Sequence, residues 1–293
     1  MKLNETVVPN WSGQFKMEDD DSNETYHKMS SYLSWLPILL FLTTAVAFTI
    51  SYIIAVADKD VNPFWPYISD TGTKPPESCI FGQLLNISAV LALACMYVRF
   101  KLVQAFNNHD KTLKVFNVVS LLIGVAASIG VSLVANFQES NVIQVHLTGA
   151  LMAFGLGTIY CFFHSVITRR MYPMYNGLAI WAWRLAISII CLIALILTGV
   201  FSGIAGYEIG ASSMDVAFNS REWNSTMPGY SSHLVSTISE WIIGIAFLSF
   251  FLTYFKDFKK IAIRVLPELL VSHLDETPIV FNSGPTERTG LLA

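Results

Sequence analysis

Six stretches of this chain run almost without charge over lengths that match a bilayer. Residues 33–57, 79–98, 115–138, 140–168 and 185–207 hold no Asp, Glu, Lys or Arg, and 234–255 holds one, Glu240. A hydrocarbon core about 30 Å thick is crossed by about 20 consecutive apolar residues in a helix. Each stretch is therefore read as a span. The fold class that follows is all-α, a polytopic membrane protein built as a six-transmembrane-helix bundle. The whole chain agrees, since 53% of its 293 residues are hydrophobic and only 13% charged, too apolar for an ordinary soluble domain.

The spans divide the chain into a polar tail (1–32), a membrane domain (33–255) and a juxtamembrane segment with a tail read as disordered (256–293). The first tail carries Glu18, Asp19, Asp20, Asp21 and Glu24 and lacks the basic, apolar, small-residue order of a signal peptide, so the first span is an uncleaved anchor. Orientation follows from Lys and Arg. Arg99, Lys101, Lys111 and Lys114 lie between spans two and three, Arg169 and Arg170 between four and five, and Lys256, Lys259, Lys260, Arg264 and Arg288 after six. The opposite loops hold only Lys59, Lys74 and Arg221, which puts both termini in the cytosol. The sequons at Asn4, Asn10 and Asn23 then fall on the cytosolic side, and Asn224 is the expected glycosylation site. The basic residues sit at membrane edges and form no domain for nucleic acid. Cys79, Cys95, Cys161 and Cys191 make no CxxC pair and imply no disulfide framework.

The loop NPFWPYISDTGTKPPE, residues 62–77, carries Pro63, Pro66, Pro75 and Pro76, which rule out a continuous helix. Phe64, Trp65 and Tyr67 have the amphipathic rings of headgroup depth. Ser69 to Gly72 reads as a turn with a local side-chain cap. Pro76 and Glu77 suit the first turn of the next helix. Two readings compete for this loop, a capped connector and a ligand-binding loop.

Inside the spans, Gly124, Ser128 and Ser132, and again Gly199 and Gly203, have the spacing that lets helices approach closely. They are read first as internal packing and second as helix-mediated self-association. His146, Gly149, Ala153, Gly157, Tyr160 and His164 share one helical face, as do His233, Ser236, Glu240 and Gly244. An acid in lipid costs several kcal/mol unless paired or protonated, so Glu240 is expected to point into the bundle. Arg184, beside Trp181 and Trp183, is expected to snorkel. The segment KDFKKIAIRVLPELL is expected to lie on an anionic leaflet. Asp70, Glu77, Glu139, His146, His233 and Glu240 all fall on the lumenal side and define a polar pocket capped by the 62–77 loop. That pocket binds a lipid headgroup or senses lumenal pH; the alternative is a hydrogen-bond cluster that only fixes packing.

NPFWPYISDTGTKPPES (62–78), VANFQE (134–139), HLTGALMAFGLGTIY (146–160) and EWIIGIAFLSFFLTYFKDF (240–258) together resemble the damage-regulated autophagy modulators (DRAM), over roughly residues 33–265. The resemblance implies a lysosomal or late-endosomal six-span protein that promotes autophagy, linked to apoptosis, with membrane lipids as partners and no established reaction. The ending ERTGLL, with Glu287, Leu291 and Leu292, resembles an acidic dileucine signal for a clathrin adaptor. The N-terminal extension and a long loop before span six depart from the family pattern.

Two alternatives to a non-enzymatic modulator stay open, a membrane-embedded lipid-modifying enzyme and a lipid or ion conduit with a lumen-facing polar site. The chain has no HExxH, no GxSxG and no close histidine set with metal-ligand spacing. No catalytic residue, metal or cofactor is assigned.

Overall fold

Lipid offers backbone groups no hydrogen-bond partners, so each apolar stretch closes its bonds internally as a helix. The computed structural model describes residues 32–107, 109–210 and 223–262. Over these the chain forms six long helices: α1 (Leu36–Ala57), α2 (Glu77–Phe106), α3 (Lys111–Asn136), α4 (Ile143–Arg170), α5 (Leu178–Glu208) and α6 (Tyr230–Phe258). Most run past the uncharged stretches that announce them. α2 continues through Arg99 and Lys101, and α5 begins before Arg184, because these charges find partners in the bundle or at its edge.

The ends are set locally. Asp110 caps α3, its Oδ1 accepting from the N–H groups of Thr112 and Leu113 at 2.9 and 3.1 Å. Those bonds, with Arg170 beside it, hold its carboxyl below the usual range. Pro37 sits in the first turn of α1, where its missing N–H leaves no bond unmade. Gly229 opens α6 at φ +79°, where a side chain would meet the Ala205 carbonyl at 2.8 Å.

Neighbours in sequence are neighbours in space. α1 packs on α2, α2 on α3, α3 on α4, α4 on α5 and α5 on α6, and α6 returns to α1. A close approach joins α3 and α4, where a Cβ on Gly149 would lie 2.7 Å from Leu133 Cβ and 3.0 Å from the Gly130 carbonyl. Gly124 faces Met96 and Tyr160, and Ser132 donates to Asn86 at 2.7 Å, so the small-residue face of α3 is internal packing. For α5 the first reading, internal packing, is overturned. A Cβ added at Gly199 or Gly203 would meet nothing within 4 Å; both lie on the exposed side with Ile196 and Val200, because α5 buries only the opposite stripe of Arg184, Ser188, Cys191, Ala194 and Ala205.

Midway, α4 widens into a π-helical stretch at Leu151–Leu156, a feature the regular spacing of its inward face does not announce. Such bulges recur at functional sites. The four cysteines are free.

Candidate functional site

The 62–77 loop is sewn into the helix ends by its own backbone. Its prolines cannot donate, so their carbonyls serve as acceptors instead: Tyr52 donates to Pro63 O at 2.7 Å and Trp241 Nε1 to Pro66 O at 2.9 Å. Ile68 N–H donates to Glu240 Oε2 at 2.8 Å, and Ser69 Oγ to Glu139 Oε2 at 2.9 Å. The turn Asp70–Gly72 is 3-10 helical. Threonines cap it, Thr71 Oγ1 donating to Ile68 O at 2.6 Å and Thr73 Oγ1 to Asp70 O at 3.0 Å. Ser69 is thereby left to reach Glu139.

Of the three rings expected at headgroup depth, Phe64 and Trp65 are exposed, but Tyr67 turns inward. Its hydroxyl donates to Ser236 Oγ at 2.8 Å, and Ser236 passes the bond on to Thr198 O. Burial holds this phenol well above its usual range, against the pull of Ser236 and Ser202 and with the charges of Glu240 and Asp70 adding to it. Tyr67 is thus a permanent donor.

Beneath this roof lies a chamber of about 150 Å³. Leu40 and Phe48 of α1, Phe81 and Leu85 of α2, Val131 of α3, Phe154 of α4 and Phe247 of α6 supply apolar wall. Ile68, Ser69, His146 and Glu240 line it from the loop and the helix ends beside it; Met96, Tyr160 and Phe251 line it from farther along. α5 contributes nothing to the wall. Thr44 donates to Ser88 Oγ at 2.9 Å, whereas Ser128 Oγ is buried in the wall with no hydrogen-bond partner among the described residues. His146 Nδ1 lies 2.7 Å from the Phe137 carbonyl. A carbonyl only accepts, so Nδ1 carries a proton and Nε2 faces Glu139 Oε2 at 3.8 Å.

The six residues assigned to a polar pocket divide. Glu139, His146 and Glu240 gather with Ser69 at the roof, and Asp70 is buried beside them, close enough for its charge to act on Tyr67. Glu77 does not join them. It is fully buried at the start of α2, where Oε1 accepts the Lys74 N–H at 3.2 Å, and Lys74 itself pairs with Asp60. His233 does not line the chamber either. It stacks on Trp223 with ring centroids 4.3 Å apart and meets Tyr67 edge-on at 5.2 Å. A shared membrane side gives depth, and only the helix order supplies the rest.

A second cluster lies at the basic end, and sequence reasoning misassigns its main member. Arg184 does not snorkel: it is 0% exposed, as is Arg99. Both donate to Asp257 Oδ2, Arg184 at 2.6 Å and Arg99 at 3.0 Å. Thr168 and Thr253 take further guanidinium N–H groups at 2.8 and 2.9 Å. The Tyr254 ring lies under both cations. Asp257 draws the first turn of the KDFKK segment into the bundle, so Asp257 and Phe258 are buried and do not rest on a leaflet; residues from 263 on lie outside the described part. Two cations thus share one acid, and Arg99 Nε and His164 Nδ1 have no hydrogen-bond partner among the described residues. Tyr254 donates to Tyr160 at 3.3 Å, which joins this lock to the chamber. The only signal for it in the sequence is an Arg at the edge of each of two spans and an Asp just after a third.

Among the described residues no three His, Cys, Asp or Glu side chains form a metal-binding group. The arrangement suits binding: an apolar slot with an acid, an imidazole and a hydroxyl at one end, fit for a molecule with an apolar body and a hydrogen-bonding head.

The sorting residues Glu287, Leu291 and Leu292 and the sequons of the first tail lie outside the described residues. Asn224 lies within them, exposed, its Oδ1 accepting from Thr226 Oγ1 at 2.5 Å. Asn62 Nδ2 donates to Trp223 O at 3.0 Å, which puts this sequon on the same side as the 62–77 loop.

Residues 32–261 match the family model described as Frag1/DRAM/Sfk1/Cwh43P N-terminal domain. DNA damage-regulated autophagy modulator protein 2 of Bos taurus is 39% identical over 262 residues, 89% of this chain and 96% of its own length. DNA damage-regulated autophagy modulator protein 1 of Homo sapiens is 40% identical over 238 residues, 81% and 95% of the two chains. Modulator of macroautophagy TMEM150B-B of Xenopus laevis is 38% identical over 168 residues, 57% and 71%. No solved structure matches the chain. With the family model covering all six membrane helices and relatives near 40% identity along most of their length, the chain belongs to the Frag1/DRAM/Sfk1/Cwh43P family.

Proposed function

We propose that this protein modulates autophagy from a lysosomal or late-endosomal membrane without catalysing a reaction, by holding an amphiphilic membrane lipid in the roofed chamber. The observation that carries the reading is the chamber itself. Its walls are apolar and water there is unfavourable, while Ser69, His146 and Glu240 at one end offer a lipid headgroup a hydroxyl, an imidazole and an acceptor. The relatives named as modulators of autophagy supply the cellular role. Both termini are cytosolic in this reading, and Glu287, Leu291 and Leu292 address the protein through a clathrin adaptor. Occupancy is signalled through the loop, because Ile68 and Ser69 contact the chamber and the same loop reaches Trp241, Ser236 and Glu139.

The test is capture of a photoreactive, clickable lipid by the full-length protein in cells, compared with Ala92→Phe, which fills the chamber from α2. Capture that falls severalfold in the variant, with the crosslink mapped to chamber residues, supports the reading; equal capture in both contradicts it. Lysosomal lipidomics run alongside guards against chemistry. A discrete substrate and product pair that depends on Glu240 would replace the binding role with a lipid-modifying one.

A further inference from the structure

The roofed chamber holds charge of one sign only. No Lys or Arg lines it, while Asp70, Glu139 and Glu240 are all buried at or beside its roofed end. Two polar atoms there border the open space without a bond. Glu240 is 8% exposed and lines the chamber; its Oε2 accepts the Ile68 N–H at 2.8 Å, and its Oε1 accepts nothing from the described residues. Unlike Ser128 Oγ, this oxygen is not sealed by its neighbours against a water-sized molecule. His146 is 4% exposed and lines the same end. With its Nδ1 proton given to the Phe137 carbonyl, its Nε2 carries a lone pair, stops 3.8 Å from Glu139 Oε2 and is likewise unsealed. Ser69 Oγ spends its proton on Glu139 Oε2 at 2.9 Å, which leaves it lone pairs alone. All three side chains that line this end therefore accept, and none has a free proton to give.

We propose that the occupant of the chamber is a single-chain lipid with a primary amine, its ammonium donating to Glu240 Oε1, His146 Nε2 and Ser69 Oγ. This deepens, and rests on, the reading of the chamber as a lipid site. An ammonium brings three donors and no acceptor, which matches three acceptors in number and in kind. It also supplies the cation that a buried carboxylate needs. A hydroxyl headgroup has one proton and answers one of the three. A phosphate or carboxylate headgroup sets lone pairs against lone pairs and adds charge of the wrong sign. Size points the same way: an apolar cavity of about 150 Å³ stays dry and takes a body the size of benzene, so the slot admits part of one hydrocarbon chain and not two side by side.

The experiment uses the full-length protein in phosphatidylcholine nanodiscs and three photoreactive, clickable probes with the same long chain, ending in a primary amine, an alcohol or a carboxylic acid. Crosslinks are mapped to peptides and normalised to labelling of the nanodisc scaffold. The wild type should capture the amine at chamber residues about tenfold more than the alcohol, the worth of a charge-assisted hydrogen bond, and the acid least. Glu240→Gln should bring the amine down to the level of the alcohol and leave the alcohol unchanged. Ala92→Phe should lower capture of every probe. Equal capture of the three probes, or a preference for the alcohol or the acid, would overturn the amine while capture that still falls in Ala92→Phe keeps the chamber as a lipid site. Capture of all three that ignores Ala92→Phe would sink both readings. Should Glu240→Gln fail to fold, the order of the three probes on the wild type still decides it.

Discussion

Asp257 accepts from two buried guanidinium groups at once, and the imbalance makes a sharp ordering of variants. Asp257→Asn leaves two uncompensated cations in the bundle and should cost about 3–5 kcal/mol. Arg99→Met leaves one neutral Arg184–Asp257 pair and should cost clearly less. Thermal unfolding of both variants in detergent checks the order, and the reverse order would mean that the pair of cations is balanced from elsewhere. This lock also marks the limit of reading single residues. An Arg just inside a span can snorkel to water or turn inward, and what decides is Asp257, 73 residues further along. Glu240 is legible for the opposite reason. A lone acid amid apolar neighbours has no favourable outward position, so it must face the bundle wherever the other helices stand. His233 has an aromatic stack as an equally good solution, and its sequence does not separate the two.

Helices are announced by composition, whereas the way they meet depends on a few small residues and on loops. The α3–α4 crossing shows this. A side chain at Gly149 meets Leu133, Gly130 and Val134 within 3.1 Å, so Gly149→Val should push the helices apart at a cost of about 1–3 kcal/mol. Reduced folded yield with no change for Gly199→Val, whose site is open, is the expected pattern. The loops give a topological test. Asn224 is exposed and shares a side with the 62–77 roof, so Asn224→Gln should abolish a glycosidase-sensitive shift while Asn4→Gln, Asn10→Gln and Asn23→Gln leave it. A shift lost with Asn23→Gln and kept with Asn224→Gln would turn the roof to the cytosol. That the loop forms a shaped cap is readable from its prolines. Its bonds to Glu240, Trp241 and Glu139 are not, since they join residues 70 to 175 positions apart.

Over the described residues, the six helices form a ring with an apolar slot of about 150 Å³ under a stitched roof and a charged lock at the other end. Five helices line the slot and α5 backs two of them. The ring order follows the chain order, which is why a list of spans comes close to the fold, but the slot exists only because α4 and α6 meet through rings such as Phe154 and Phe247, 6.1 Å apart, and not backbone to backbone. Leu291→Ala with Leu292→Ala should move the protein to the plasma membrane with its fold intact, and unchanged lysosomal residence would remove those leucines from sorting. The most direct measurement is autophagic flux in cells lacking the protein and restored with wild type, Glu240→Gln or Ala92→Phe, each quantified for lysosomal delivery. Glu240→Gln keeps an oxygen for the Ile68 N–H but removes the acid, and Ala92→Phe fills the slot while leaving the roof. Normal delivery with flux lost in both is the expected result; normal flux with the acid removed and the slot filled would contradict a chamber that works by binding.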